Sequence, residues 1–254
     1  MSDHPLLFRG SRVLARWTAR RLARRPFRMP AGRPLVSFTF DDFPRSAWLA
    51  AGPILGRYGI SATYYASLGL AGTEGPSGRH FVEGDLREIL AAGHELGCHT
   101  HAHCPSWETR PAAFAESVRR NEAELRARLP WARFRSLSYP VSPPRAATKR
   151  LMSERFLCCR GGGQTHNAGE IDLSYLRGYF LEQAAGAIPP LAEAIASSAS
   201  AGGWLILATH DVAAAPSRYG VTPEFLEHAV QLARASGAEV LPVAAAWDRI
   251  AGRG

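Results

Sequence analysis

The sequence predicts a single α/β domain whose parallel strands form a barrel. Apolar, strand-like runs alternate with segments of helical periodicity, and strands separated by helices pair in parallel. The length of 254 residues is normal for one α/β barrel. The side chains with the most evident chemistry directly follow three of the apolar runs, and barrels carry their active sites at the C-terminal ends of strands.

The alternation can be followed from residue 35 almost to the C-terminus, with no internal repeat and no second domain. Gly59 and Gly93 follow the first two helical segments, as glycines at helix C-termini do. Phe114, Val118 and Leu125 have helical spacing in the third. The predicted strands are 35–40, 60–67, 94–98, 134–139, 156–159, 176–181, 204–209 and 239–243. The predicted helices are 46–58, 85–92, 111–129, 145–154, 190–198 and 222–235.

Composition excludes several classes of protein. Apolar residues make up 46% of the chain, enough for a core, yet no apolar stretch reaches the length of a membrane span. The four cysteines do not form a disulfide framework or a zinc-knuckle spacing, and Cys158 and Cys159 are adjacent. We therefore expect a reducing, cytoplasmic location.

The positive charge of the chain is confined to its N-terminal arm, residues 1–34. The arm holds nine arginines and one acidic residue, Asp3, and so accounts for the whole net charge of +8. The remainder, residues 35–254, is neutral and is the predicted catalytic domain. The positive net charge of the chain is therefore no evidence for a positively charged active site.

Three interpretations of the arm remain open. The dipeptide Arg24-Arg25 faintly resembles a twin-arginine export signal, but no apolar segment follows it. The arm could pack on the barrel as a partly ordered helix. It could also lie on an anionic membrane at the inner face, because apolar residues interleave with the arginines. Those apolar residues are Leu6, Leu7, Val13, Leu14, Trp17 and Leu22. No aromatic platform or motif accompanies the charge, so nucleic acid is not an expected partner.

The most informative motif is a pair of adjacent carboxylates, Asp41 and Asp42, at the end of the first apolar strand. Two neighbouring carboxylates repel one another unless a cation or a shared proton compensates. A metal ion is the simplest compensation.

Histidines supply the remaining donors of a mononuclear metal site. His99 and His103 are four residues apart, so a helical turn after the third strand would point both imidazoles the same way. With Asp42 they would bind one divalent ion, for which zinc is preferred, and leave positions for water and substrate. His101 lies between them and is expected to point elsewhere. His210 follows another apolar strand, 204–209, near the C-terminus.

Asp41 and His210 are the predicted catalytic base and acid. A carboxylate beside a metal site can take the proton of an attacking water. A histidine on a different strand can give a proton to the leaving amine from the other side.

These motifs, in this order, resemble the polysaccharide deacetylases of carbohydrate esterase family four, the NodB-homology enzymes. The resemblance covers residues 35–245 and rests on the segments 39–42, 93–103, 138–140 and 207–210. It implies a distorted barrel of seven or eight strands and metal-dependent hydrolysis of an N-acetyl group on an amino sugar. It also implies the ligands Asp42, His99 and His103.

The third family motif is altered in this chain. The resemblance places a base-holding arginine where Ser138 stands, and an oxyanion-binding backbone N–H at Val141. Arg177 is the predicted substitute for the arginine, with Arg135 second.

The fourth family motif is not recognisable, and Asp172 is only a weak substitute. The resemblance further implies Leu207 as a contact to the acyl methyl group. We add Tyr139 as a substrate-binding residue.

Two other functions remain open. His99 and His101 form the His-x-His pair typical of amidohydrolase barrels, which would act on a non-carbohydrate amide, although that pair belongs on a first strand. A non-catalytic carbohydrate-binding relic would keep the barrel without the chemistry. The preferred function is deacylation of an amino sugar in a glycan or a lipid-linked saccharide.

Overall fold

The computed structural model is a closed barrel of seven parallel strands, as predicted. It describes residues 5–184 and 186–252, with side chains of the first helix described from residue 13 onward. The strands are β1 Pro26–Arg28, β2 Leu35–Phe40, β3 Thr63–Ala66, β4 Glu74–Gly75, β5 Gly78–Arg79, β6 Glu95–Cys98, β7 Ser136–Ser138, β8 Cys158–Gly161, β9 Glu170–Asp172, β10 Leu176–Phe180, β11 Trp204–Thr209 and β12 Glu239–Val240.

Helices cover the outside of the barrel. They are α1 Pro5–Arg21, α2 Arg45–Leu49, α3 Ala51–Arg57, α4 Glu83–Ala91, α5 Pro111–Arg128, α6 Ala146–Ser153, α7 Ile188–Ser200, α8 Pro223–Ala235 and α9 Val243–Ile250. Most of their apolar faces pack on the strands in a large core, which contains Phe114, Leu191 and Leu226. A second, smaller core holds Trp247 of α9 together with Leu35 and Trp204. This burial is the main stabilising term of such a fold.

The barrel closes between β2 and β11. Its order is β2–β3–β6–β7–β8–β10–β11, and β11 pairs in parallel with the full length of β2, from Trp204 opposite Leu35 to Thr209 opposite Phe40. All six residues of β2 are buried, because both faces of the strand are covered. Parallel closure brings the C-terminal ends of all seven strands to one rim.

Three local predictions were wrong. The helix predicted over 46–58 is broken at Ala50 into α2 and α3. The last strand stops at Val240, because Pro242 ends it and helix α9 follows, a helix the sequence reading missed. The antiparallel pair of β1 with β9 was also not predicted, since each has only three residues.

The N-terminal arm is docked on the body. Ala15 and Ala19 of α1 are buried, and the ammonium of Lys149 on α6 donates to the carbonyls of Ala19, at 2.6 Å, and Leu22, at 2.9 Å. Lys149 also pairs with Asp172 at 2.5 Å. A cation at the C-terminal carbonyls of a helix is favourable for both hydrogen bonding and the helix dipole.

The arm packs near the one connection of the described barrel, between β8 and β10, that is made without a helix. No helix lies between β8 and β10 in the described chain; α1 packs against α6, and β1 of the arm pairs with β9 of this connection. None of the described helices is both long and apolar enough to cross a membrane. Leu6 and Leu7, expected to contribute to the apolar face of the arm, lie outside the described side chains.

Candidate active site

The rim at the C-terminal ends of the strands gathers the predicted site residues. Asp41 and Asp42 follow β2, His99 follows β6 and His210 follows β11. Because neighbouring parallel strands end at the same edge, residues far apart in the sequence become neighbours here.

The backbone around this rim adopts uncommon conformations. Asp42, Thr100, His103 and Val141 all have positive φ, between 48° and 61°. Left-handed backbone costs roughly 1–3 kcal/mol for a residue with a side chain, and Thr100 and Val141 are the most unusual because they are β-branched. Such strain is concentrated at functional sites, where the surrounding structure over-determines it.

Asp42, His99 and His103 converge, and they are the only cluster of possible metal ligands in the described chain. The Oδ1 atom of Asp42 lies 3.0 Å from Nε2 of His103 and 3.3 Å from Nε2 of His99. Ligands about 2.0–2.2 Å from one tetrahedral ion would be about 3.3–3.6 Å apart. The His99 separation lies in this range and the His103 separation is 0.3 Å below it, so a shared divalent ion needs only a small adjustment of the ligands.

The histidine pair is positioned by a loop and not by the predicted helical turn. Residues 99–104 contain no helix, and the positive φ of Thr100 and His103 folds the two rings to 5.1 Å. Nδ1 of His99 lies 2.9 Å from the carbonyl of Ser138, which can only accept. Nδ1 therefore carries the proton and Nε2 presents its lone pair toward Asp42, the form a metal ligand requires.

The charges at this cluster also suit a cation. Burial by itself would raise the pKa of Asp42, but the imidazoles of His103 and His99 hold that pKa well below its usual range. Burial lowers the pKa of His103, while Asp42 and Asp41 raise it by more. Asp42 Oδ1 is buried and accepts no hydrogen bond of ordinary geometry from the described residues. A bound cation would give this oxygen atom the partner that it lacks.

Arg160 holds the second carboxylate, Asp41. Its Nη2 donates to both oxygens of Asp41 and, at 2.6 Å, to the hydroxyl of Ser138. Burial alone would raise the pKa of Asp41, but Arg160, His99 and His210 outweigh it, so the pKa is lowered. Asp41 is therefore an ionised, oriented carboxylate, which is the state a general base needs.

The structure shows how an arginine reaches Asp41 although this chain has Ser138 at the position where the resemblance expects an arginine. Ser138 on β7 is the register partner of Arg160 on β8, so the guanidinium comes from the adjacent strand at the same height. A Cβ on Gly178 would lie 3.1 Å from Nη1 of Arg160, so glycine there leaves space for the side chain. The rings of Tyr65 and Phe180 cover the guanidinium at 5.3 and 5.4 Å.

The sequence-based choice of Arg177 is not supported. Arg177 is exposed and packs against Gly163, and only its backbone is engaged, through Asn167. On a barrel strand the face alternates, so Arg177 points outward where Arg160 points inward. Arg135 precedes β7 at the opposite end of the barrel, where it forms a bidentate pair with Asp248 at 2.8 Å.

His210 faces the cluster from the far side. Its Nε2 lies 4.0 Å from Oδ2 of Asp42, and its Nδ1 lies 3.3 Å from the carbonyl of Tyr219. Nδ1 donates to that carbonyl, so Nε2 is the atom that can exchange a proton at the site. Asp211 turns away and binds Ser217 through both carboxylate oxygens.

Three further predicted residues have contrasting positions. Val141 is 73% exposed, and no described group accepts a hydrogen bond from its backbone N–H. Leu207 is completely buried in the core, so it exposes no surface to an acyl group. Tyr139 is also buried, and its hydroxyl donates to the carbonyl of Ser174 at 3.2 Å. The burial of Leu207 and Tyr139 does not favour the expected substrate contacts, which stay predictions.

Two other polar residues have structural partners. Nε2 of His101 lies 2.8 Å from Glu124 and does not join His99, which disfavours an amidohydrolase-type pair. Asp172 accepts hydrogen bonds from Lys149 and from the backbone N–H of Arg25. It belongs to the docking of the arm and does not replace the missing fourth motif.

The family assignment follows from a sequence comparison. Residues 28–154, half of the chain, match the polysaccharide deacetylase family. The chain belongs to that family. The matched region includes Asp41, Asp42, His99 and His103. No curated protein sequence matches the chain.

Solved structures show that this chain has the fold of carbohydrate esterase family 4. The chitin deacetylase of Colletotrichum lindemuthianum aligns with a TM-score of 0.59 and 16% identity, over 88% of this chain and 91% of its own. A family 4 acetyl xylan esterase from Clostridium thermocellum, in complex with a cobalt ion, gives 0.55 and 21%, over 87% and 93%.

The same fold also occurs without activity. A CE4 family pseudoenzyme from Bacillus anthracis aligns with a TM-score of 0.57 and 15% identity, over 87% of this chain and 68% of its own. At these identities the likeness establishes the fold alone. The case for catalysis rests on the side chains of the site.

Proposed function

We propose that this protein is a metal-dependent hydrolase that removes an N-acyl group, by preference acetyl, from an amino sugar. The observation that carries the proposal is the joint presence, on one rim, of a three-donor cluster, an arginine-held carboxylate and a histidine on the opposite side. A pseudoenzyme would have no need to keep all three.

Each residue has a distinct role in the proposed reaction. A divalent ion held by Asp42, His99 and His103 would polarise the acyl carbonyl and make water a better nucleophile. Asp41 takes the proton of the attacking water, because it is ionised and fixed by Arg160. His210 gives a proton to the departing amine from Nε2. The free N–H of Val141 donates to the oxygen that gains negative charge.

The metal ligands can be tested one at a time. Asp42→Ala, His99→Ala and His103→Ala should each lose bound zinc, because two donors seldom hold a divalent ion tightly. Metal content after gel filtration, by mass spectrometry, is the measurement. His101→Ala is the matched control and should keep one equivalent. Full occupancy in all three ligand variants would overturn the assignment.

A product screen distinguishes the candidate substrates. We expect acetate release from N-acetylglucosamine oligosaccharides, and less from acetylated xylan or from a non-carbohydrate N-acetyl amide. Release from the non-carbohydrate amide alone would favour the amidohydrolase alternative. A polyprenyl-linked amino sugar belongs in the screen, because the arm gives a reason for a substrate at a surface.

We also propose that the enzyme is cytoplasmic and that α1 binds it to the anionic inner face of the membrane. The side of α1 opposite the buried Ala15 and Ala19 carries Val13, Leu14 and Trp17, which are 66%, 53% and 55% exposed. The exposed arginines Arg16, Arg20 and Arg21 flank them. An apolar stripe bordered by arginines suits an interfacial helix, and each arginine adds about 1 kcal/mol near an anionic leaflet.

Vesicle co-sedimentation tests the membrane proposal. The combined change Val13→Ser, Leu14→Ser and Trp17→Ser should abolish binding to vesicles with anionic lipid, while the docked face of α1 stays intact. Binding by the unaltered chain should weaken with salt, since exposed charges are screened over about 10 Å at 0.1 M. A matched triple change at exposed body residues, Glu116, Arg119 and Glu154 to Ser, should retain binding. Equal sedimentation of the α1 variant and the unaltered chain would refute the proposal.

A further inference from the structure

Glu182 is an unexplained carboxyl group at the catalytic rim. It lies in a single helical turn, Leu181–Ala184, that directly follows β10. The two carboxyl groups that act on it electrostatically have partners, Arg160 for Asp41 and Ser217 for Asp211. The Oε2 atom of Glu182 is buried and has no hydrogen-bond partner in the described chain. A buried polar atom of this kind is costly, so a partner from outside the protein is indicated.

The strand end that leads to Glu182 is held beside the Asp41–Arg160 pair. Phe180, two residues earlier, covers the guanidinium of Arg160 at 5.4 Å. The side chain of Gln164 forms two hydrogen bonds with the backbone of Phe180: it accepts one from the N–H and donates one to the carbonyl, each at 3.0 Å. The backbone leading to Glu182 is therefore fixed relative to the Asp41–Arg160 pair, which is a requirement for a residue that orients substrate.

The charged groups that act on Glu182 are Asp41, Arg160 and Asp211. Burial raises the pKa of Glu182 to about 8; its own backbone N–H and Arg160 lower it, and Asp41 and Asp211 raise it. The side chain is therefore a protonated carboxyl near neutral pH. In this form it has one O–H donor and a carbonyl acceptor.

We propose that Glu182 contacts the substrate and binds a hydroxyl group of the sugar beside the scissile acyl group. A sugar hydroxyl both donates and accepts, so it can satisfy both atoms of a carboxyl group. This inference rests on the proposed function and adds to it a residue that recognises the carbohydrate itself. Glu182 would act in binding and orientation, while Asp41 and His210 move the protons.

The test compares Glu182→Gln with Glu182→Ala in the zinc-loaded enzyme, with an N-acetylglucosamine oligosaccharide as substrate. The amide of glutamine keeps one donor and one acceptor, so we expect Glu182→Gln to hold KM within about threefold. Glu182→Ala should raise KM about tenfold, the size of one lost hydrogen bond to a buried group. Zinc content and Tm should stay the same in both. Gln183→Ala, at the exposed neighbour, is the matched control.

Two results would overturn the inference. KM and kcat unchanged in Glu182→Ala would show that the side chain does not touch the substrate. Equal damage in Glu182→Gln and Glu182→Ala would show that a carboxylate, and not the neutral carboxyl group, is what matters. Both results require an active parent enzyme. Failure of the proposed function is distinct, because the unaltered enzyme would then release no acetate from any N-acylated amino sugar.

Discussion

Replacing Asp41 by asparagine is expected to lower turnover at least about 100-fold while leaving one equivalent of zinc bound. The reason is that asparagine keeps the shape of the side chain but cannot accept a proton, and a lost general base costs about 100–10,000-fold. Asp41 lies outside the three-donor cluster, so the ion should remain. Acetate release and metal content, measured on the same preparation, check both halves of the prediction.

The control for Asp41 is its neighbour. Asp42→Asn should lose zinc as well as turnover, whereas Asp41→Asn should lose turnover only. Equal metal loss in the two variants would mean that both carboxylates coordinate or that their roles are reversed. Because Asp41→Asn leaves the buried Arg160 without an anion, a lowered Tm is also expected, and assays should be run well below it.

Replacing Arg160 by alanine is expected to lower turnover by about 100-fold and to shift the acidic limb of the pH profile to higher pH. Arg160 holds Asp41 in place and lowers the pKa of that carboxyl group. Without the guanidinium the pKa of Asp41 rises, and since the base works only when ionised, activity at low pH is lost first. A purely structural role would lower Tm without moving this limb.

The register between β7 and β8 offers a rescue experiment. Because Ser138 and Arg160 are register partners, the double change Ser138→Arg with Arg160→Ser moves the guanidinium across to the adjacent strand. We expect it to recover part of the turnover and the low-pH activity that Arg160→Ser loses. This also separates function from folding, since removing one partner of a buried ion pair costs about 3–5 kcal/mol.

Arg177→Ala and Arg135→Ala are the matched controls for Arg160. Each removes an arginine from a neighbouring strand or its flank, and neither contacts Asp41, so turnover should stay within about twofold to threefold of the parent. An Arg160→Ala variant with parental turnover and an unshifted pH profile would contradict the role given to Arg160.

The sequence predicted the elements of the barrel that are buried on both faces. The bounds of β2 and β11 match the predicted strands, because each is a continuous apolar run that ends at polar site residues. Shorter elements were less accurate. The pairing of β1 with β9 depends on contacts between distant segments, and neither segment has a local sequence pattern that predicts a strand.

The sequence predicted that Asp41, Asp42, His99, His103 and His210 lie together, as they do in the structure, and their chemical roles stay predictions. It named Arg177 as the partner of Asp41, whereas the structure has Arg160 there. A usable signal existed. The predicted strand 156–159 places Arg160 directly after a strand, at the same rim as Asp41 and His210. What the sequence could not give was the register that sets Arg160 opposite Ser138, because register depends on how two strands align in space.

The docking of the arm was likewise beyond the sequence. Its charge pattern left open both an interfacial helix and a helix packed on the barrel. Nothing local showed that Lys149, over a hundred residues later, binds the carbonyl of Ala19 near the end of α1. One face of α1 packs on the body, as one of the open interpretations expects. Membrane binding by the exposed face stays a prediction.

The most direct test of the central claim is a zinc titration of acetate release. The chelated, metal-free enzyme is mixed with an N-acetylglucosamine oligosaccharide, and zinc is added in fractions of an equivalent. The account predicts no release at zero zinc, a linear rise and a plateau at one equivalent. Full release by the metal-free enzyme, or no release at any zinc concentration, would contradict it.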